Sequence, residues 1–145
     1  MFTYLNKDKN PSGFSLIEIM VSILILAIAF IGLIQSFPLG LAINKDAENS
    51  TIASYLAQDK VEELFSLAYE NLSPGVIEAK HRISNDPNDY RYQYQRQTEI
   101  TYLDANLNPA VNDLGMKKIS TTVYYISPLS KVEKSYQLAT IISQK

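Results

Sequence analysis

The sequence predicts an α+β fold in which a long N-terminal transmembrane and stem α-helix packs on a small antiparallel β-sheet. Three observations carry that expectation. Residues 19–44 contain no charged side chain, and about 18 to 20 apolar residues suffice to cross a bilayer. Between residues 53 and 72, Ala53, Leu56, Ala57, Val61, Leu64, Phe65, Ala68 and Leu72 recur at steps of three and four, with Asp59, Glu62, Glu63, Ser66 and Glu70 on the other side. A helix with an apolar stripe therefore continues past the membrane and needs a surface to cover that stripe. Beyond Pro74 the period changes to two, the signature of half-buried strands.

Taken in order, the elements divide the chain at 1–13, 14–72 and 73–145. A helix from Phe14 to Leu72 would be about 90 Å long, far more than a bilayer, with Ser73-Pro74-Gly75 as its stop signal. Pro38 cannot donate the amide bond to Ile34, and Gly40 weakens the same turn, so a helix kink is expected around residues 34–40. Residues 90–103 alternate Tyr90, Tyr92, Tyr94, Thr98, Ile100 and Tyr102 against Arg91, Gln93, Gln95, Gln97, Glu99 and Thr101, which predicts a strand with one aromatic face. Arg96 is the one discordant residue on that face. Residues 116–126 and 135–143, rich in Ile, Val, Thr and Tyr, predict two more strands, and 76–83 is a weaker fourth.

Composition bounds the function. With 145 residues, 46% hydrophobic, the chain has room for one membrane segment and one small domain. A formal charge of −2 and the lack of a basic tail give no general attraction to nucleic acid or anionic lipid. The absence of cysteine excludes disulfides, thiolate metal sites and a cysteine nucleophile. Lys7 and Lys9, opposed only by Asp8, precede the apolar run, whereas Lys45, Asp46 and Glu48 come after it; the positive-inside rule then keeps the N-terminus cytoplasmic and exports the chain beyond residue 45.

The junction Gly13-Phe14-Ser15-Leu16-Ile17-Glu18 sets the function. A cleavable secretory signal would use Ala27-Ile28-Ala29, but apolar residues continue past those alanines. An ordinary signal anchor leaves the acid at Glu18 unexplained. Gly13 to Glu18, followed by Ile19-Met20-Val21, resembles the class III signal of type IV pilins and pseudopilins. The resemblance implies that residues 1–13 are a prepilin leader, that prepilin peptidase cuts between Gly13 and Phe14, and that the same enzyme methylates the new amine of Phe14. It also implies that Glu18 takes the position of the family's glutamate. Electrostatics gives that acid a use: a new cationic amine at a helix N-terminus opposes the macrodipole, and a first-turn carboxylate offsets it. In a bundle of helices away from water the carboxylate must find a cation, for which the Phe14 amine of a neighbouring subunit is the natural partner.

The resemblance further implies a filament subunit held in the cytoplasmic (inner) membrane by a single pass. Residues 116–125 and 136–142 are similar to the final hairpin of V-type minor pilins and of I-type pseudopilins. The leading expectation is a minor pilin of a type IV pilus that works with other pilin subunits; the alternative is an I-type pseudopilin of a type II secretion system. No nucleophile elbow, phosphate loop or paired catalytic acids stand out, so the chain is expected to be a substrate rather than an enzyme, without cofactor or metal. Asp104-x-Asn106-x-Asn108 begins like a calcium loop but has Pro109 and Gly115 where the EF-hand template needs Gly and Glu. This loop and Asn85-Asp86-Pro87-Asn88-Asp89 both read as ordinary turn chemistry. His81, the only histidine, lies between Lys80 and Arg82 as a surface residue. Tyr90, Tyr92 and Tyr94 interleaved with Arg91 and Arg96 imitate a single-strand nucleic-acid surface, a third reading in which the filament subunit binds DNA or surfaces, but alternation puts Arg91 on the face away from the tyrosines.

Overall fold

The computed structural model describes residues 13–144, so the leader expected at 1–13 lies outside the described residues except for Gly13. One helix, α1 (Leu16–Phe65), opens the fold and is followed by five strands: β1 (Gly75–Arg82), β2 (Gln95–Leu103), β3 (Pro109–Ala110), β4 (Met116–Ile126) and β5 (Glu133–Ser143). The chain forms two compact units, one ending at Gly40 and the other beginning at Leu41.

In the first unit every helical residue is exposed, including Ile19, Leu24, Phe30 and Phe37. A helix that is apolar all round with nothing packed on it is built for hydrocarbon. α1 is the one helix among the described residues long and apolar enough to cross a membrane. Two of its serine hydroxyls are satisfied within the helix, as a bilayer favours: that of Ser22 donates to the Glu18 carbonyl at 2.7 Å and that of Ser36 to the Gly32 carbonyl at 2.8 Å. Helical structure continues through Pro38 and Gly40.

In the second unit the strands form one antiparallel sheet of order β1-β2-β4-β5, with the two-residue β3 paired to the end of β2. The C-terminal part of α1 lies on one face. Ala53, Leu56 and Ala57 bury against Tyr94, Val123 and Tyr125, and Val61 and Leu64 against Ile100, Ile119 and Leu72. The two alanines are fully buried, which lets the helix approach the sheet closely enough for the large Tyr94 ring beneath it. Asp59, Glu62, Glu63, Ser66 and Glu70 are exposed, as the stripe predicted.

Three expectations need correction. The helix ends at Phe65 rather than Leu72. Ser66 and Leu67 close it with short-range bonds to Glu63 and Leu64, Ala68 is extended (φ −66°, ψ 149°), and a 3-10 turn spans Tyr69–Asn71. Phe65 and Ala68 consequently lie exposed, yet Leu72 still reaches the core at 2% exposure. The strand expected over 90–103 begins only at Gln95; Tyr90–Gln93 forms a 3-10 turn because the Asp89 carboxylate accepts the Arg91 amide and caps it. Tyr90 is therefore exposed while Tyr94 is fully buried, so the aromatic face is not continuous. β3 has no signal of its own in the sequence: Asp104 accepts the amides of Asn106 and Asn108, Leu107 takes φ 63°, and the tight loop turns Pro109–Ala110 back onto β2.

Since Ile119 is fully buried, Ile119→Ala should lower unfolding free energy by about 2–5 kcal/mol. Urea unfolding of the detergent-solubilised full chain, followed by circular dichroism, measures this. A loss below about 1 kcal/mol would contradict a core centred on this residue.

Candidate processing and assembly site

Gly13, Phe14 and Ser15 precede the first helical residue, Leu16, and all three are exposed. Ser15 caps the helix: its hydroxyl accepts the Glu18 amide at 3.2 Å, and its carbonyl accepts the Ile19 amide at 3.2 Å. This satisfies one of the orphan amides that would otherwise point at lipid. Ser15-x-x-Glu18 is the sequence signature of a capped helix start, a signal that assigns a role to Ser15 beside the acid. The cap also fixes where the carboxylate sits, in the first turn of the helix, where a negative charge is favoured by the macrodipole. Among the described residues the Glu18 side chain has no hydrogen bond or ion pair, and Phe14 is 79% exposed. The structure thus places Gly13 and Phe14 just ahead of an exposed apolar helix and Glu18 in its first turn.

The second unit contains a separate polar seam between helix and sheet, which the sequence showed only as the discordant Arg96. Arg96 and Glu78 are each 12% exposed and pair through several bonds of about 3 Å, from Nε to both carboxylate oxygens and from Nη2 to Oε1. The Thr98 hydroxyl donates to the same carboxylate at 2.9 Å. Burial pushes the Glu78 carboxyl up, but these donors outweigh it and hold it below the ordinary carboxylate range. His81, expected at the surface, is exposed and lies 3.3 Å from Glu78. Nearby, the Tyr94 hydroxyl donates to the buried Asn49 amide oxygen at 3.3 Å.

At the far end of the seam, Lys117 is 3% exposed. Its ammonium donates to the Tyr69 carbonyl at 2.8 Å, stands 3.8 Å from the Tyr69 ring centre and lies 3.4 Å from Asp113. The Tyr69 hydroxyl donates to Asp113 at 2.6 Å; burial first, and then that carboxylate, push the phenol well above its usual range. A lysine this deep needs acceptors and a π-face, and the turn after α1 supplies them. The contact holds the Tyr69–Asn71 turn, which lies beyond the end of the helix, against β4.

The aromatic and basic residues that imitate a nucleic-acid surface are not brought together for that purpose. Arg91 is held by Asp89 in a two-pronged pair at 2.7–3.1 Å, and Arg82 covers the Tyr92 ring at 4.2 Å. The pair with Arg91 draws the Asp89 pKa down to about 2. The groove beside Tyr90 also carries Asp59 and Glu62, which repel phosphate. Among the described residues no group of three or more His, Cys, Asp or Glu is arranged to hold a metal ion.

A capped, acid-bearing turn at the head of a membrane-length helix, joined in sequence to a helix-on-sheet unit, defines a membrane-anchored α+β protein with a pilin-like layout. Residues 8–34 match the family model of the prokaryotic N-terminal methylation motif, so the chain carries that motif, a signal of the type IV pilin-like prepilin cleavage and methylation kind. The motif implies processing by a prepilin peptidase and assembly into a membrane-associated filament. No curated protein and no solved structure matches the chain significantly.

Two outcomes test the polar seam. Arg96→Met strands a nearly buried carboxylate and should cost about 3 kcal/mol in urea unfolding, with acid unfolding moved to higher pH. In the wild type, Asp46, Glu78, Asp89, Asp104 and Asp113 all have lowered pKa values. A carboxyl whose pKa is lower folded than unfolded stabilises fully above its unfolded value, and that contribution disappears as pH falls through the folded value. Stability should therefore be level from about pH 7 to 5 and decline below about pH 4. A stability that rises on acidification would contradict these pairs.

Proposed function

We propose that the chain is a minor pilin, a structural and assembly subunit of a type IV pilus that is cut after Gly13 and methylated at Phe14. It is a substrate of prepilin peptidase rather than a catalyst. The mature protein is held in the inner membrane with its N-terminus cytoplasmic and its C-terminal unit outside before it enters the filament. The observation that carries this reading is the Glu18 carboxylate, placed by the Ser15 cap at the exposed head of an unpacked apolar helix, without a partner among the described residues. Such an acid is costly in hydrocarbon until a cation reaches it, and the methylated amine of an adjacent subunit is the cation that processing creates.

The small size of the sheet unit and the lack of cysteine favour a minor over a major subunit. The terminal hairpin of two 11-residue strands, β4 and β5, equally suits an I-type pseudopilin of a type II secretion system, which is the alternative reading. The engagement of Arg91 by Asp89 favours either of these over a subunit that binds DNA.

N-terminal sequencing and intact mass of the membrane-extracted protein should show a chain that starts at methylated Phe14; a retained Met1 or a start at Phe30 would overturn the processing reading. Glu18→Ala should be cleaved like the wild type but enter sheared filaments at a tenth of the wild-type level or less. Equal incorporation would remove the pairing role of Glu18.

A further inference from the structure

β5 has backbone for two ladders and a partner for one. It ends the sheet order and pairs with β4 without a register shift, from Met116↔Ser143 to Ile126↔Glu133. The Gln144 amide donates to the Gly115 carbonyl at 2.9 Å. Antiparallel ladders alternate bonded and non-bonded pairs, so the even-numbered residues of β5 bond to β4. The N–H and C=O groups of Ser135, Gln137, Ala139, Ile141 and Ser143 then face outward, and among the described residues β5 pairs with β4 alone.

Edge strands that stay unpaired are kept short, bulged, charged or interrupted by proline. β5 lacks them over most of its length: it is 11 residues long without a register shift, its charges are confined to Glu133 and Lys134 at its start, and residues 135–143 include no charge and no proline. The opposite edge is protected. β1 has register shifts between Val76 and Glu78 and between Glu78 and His81, and carries Glu78, Lys80, His81 and Arg82. The packing is also incomplete along β5. Ile119 and Val123 of β4 are fully buried under the helix, whereas Tyr136, Leu138 and Ile142 of β5, on the same face, are only part-buried. One helix does not cover the sheet this far out, and a further strand would finish that burial.

We propose that the outward edge of β5 receives an extended strand from a different protein subunit of the same membrane-anchored assembly, added to the sheet by backbone hydrogen bonding. A second copy does not supply that strand. Two β5 edges pair antiparallel about an axis perpendicular to the sheet, which reverses the two packed helices and closes a pair, whereas the subunits of a filament share one direction. The β1 edge of a second copy would preserve direction, but its bulges and charges break the ladder. The incoming segment is uncharged, with apolar side chains at alternate positions over Leu138 and Ile142 and small or polar ones on the other face. The proposal rests on the reading of the chain as a filament subunit.

Ala139→Pro tests it, because it removes the central outward N–H and leaves every bond between β4 and β5 in place. Ile141→Lys is a second variant that charges the edge without altering the backbone. With processing and membrane level equal to wild type, each should fall to a tenth or less in filaments sheared from the native host. In the wild type, hydrogen exchange at the odd-numbered amides of 135–143 should be at least a hundredfold slower in those filaments than in the detergent-solubilised full chain. Wild-type incorporation of Ile141→Lys, or unchanged exchange, overturns the proposal while leaving the filament reading intact. Disulfide-linked homodimers of Gln137→Cys, Ala139→Cys or Ile141→Cys, in a chain with no native cysteine, overturn it by showing a second copy at the edge. Absence of the wild-type chain from filaments removes both readings.

Discussion

The burial of Ala53, Leu56, Ala57, Val61 and Leu64 against a single sheet face is the interaction on which the second unit depends. Among the described residues the helix is the main cover on that face, joined by Leu72 and the turn before it, and it must exclude water from strands that would otherwise be marginal on their own. Residue size settles how well it does so. Ala53 and Ala57 bury with Leu56 against Tyr94 and Val123, and Leu64 buries with Val61 against Ile100 and Ile119. The coverage is best over β2 and β4 and thins toward β5, so the central strands are set by packing and the edge by what hydrogen bonding it can find.

The same helix meets two solvents, and its sequence changes accordingly. Up to Gly40 its apolar residues are distributed all round, and serine hydroxyls fold back on carbonyls of their own turn. From Leu41 the apolar residues narrow to a stripe and charged residues return on the other side. Lys134 reaches Asp46 at 2.7 Å early in that second stretch, tying the terminal hairpin to the helix near its start in this unit.

Much of this was legible in the sequence because periodicity reports which face is buried. The apolar run, the stripe at 53–64, the limits of β4 and most of β5 follow from spacing alone. Failures fell where a single side chain overrode local pattern. Asp89 caps a 3-10 turn within an alternating tyrosine run, and Lys117 bonds to the backbone of Tyr69 in the turn beyond the helix. Neither contact is visible to a period, since the first depends on cap geometry and the second joins residues 48 apart. Arg96 looked anomalous on a core face because its partner, Glu78, lies on another strand. At the N-terminus, Ser15 escaped attention beside Glu18, although the two form one capping pattern.

The buried Lys117 has a consequence for how the unit comes apart. Its ammonium is out of water only while the turn after α1 and the strand β4 are both in place, since one supplies the carbonyl and ring and the other supplies the lysine. Neither piece can peel away alone without leaving a desolvated charge or an exposed, unpaired turn. The end of the stem and the terminal hairpin are therefore one cooperative block, and a pulling force delivered along the helix is carried into the sheet through a bolt at its far end rather than unzipping strand by strand.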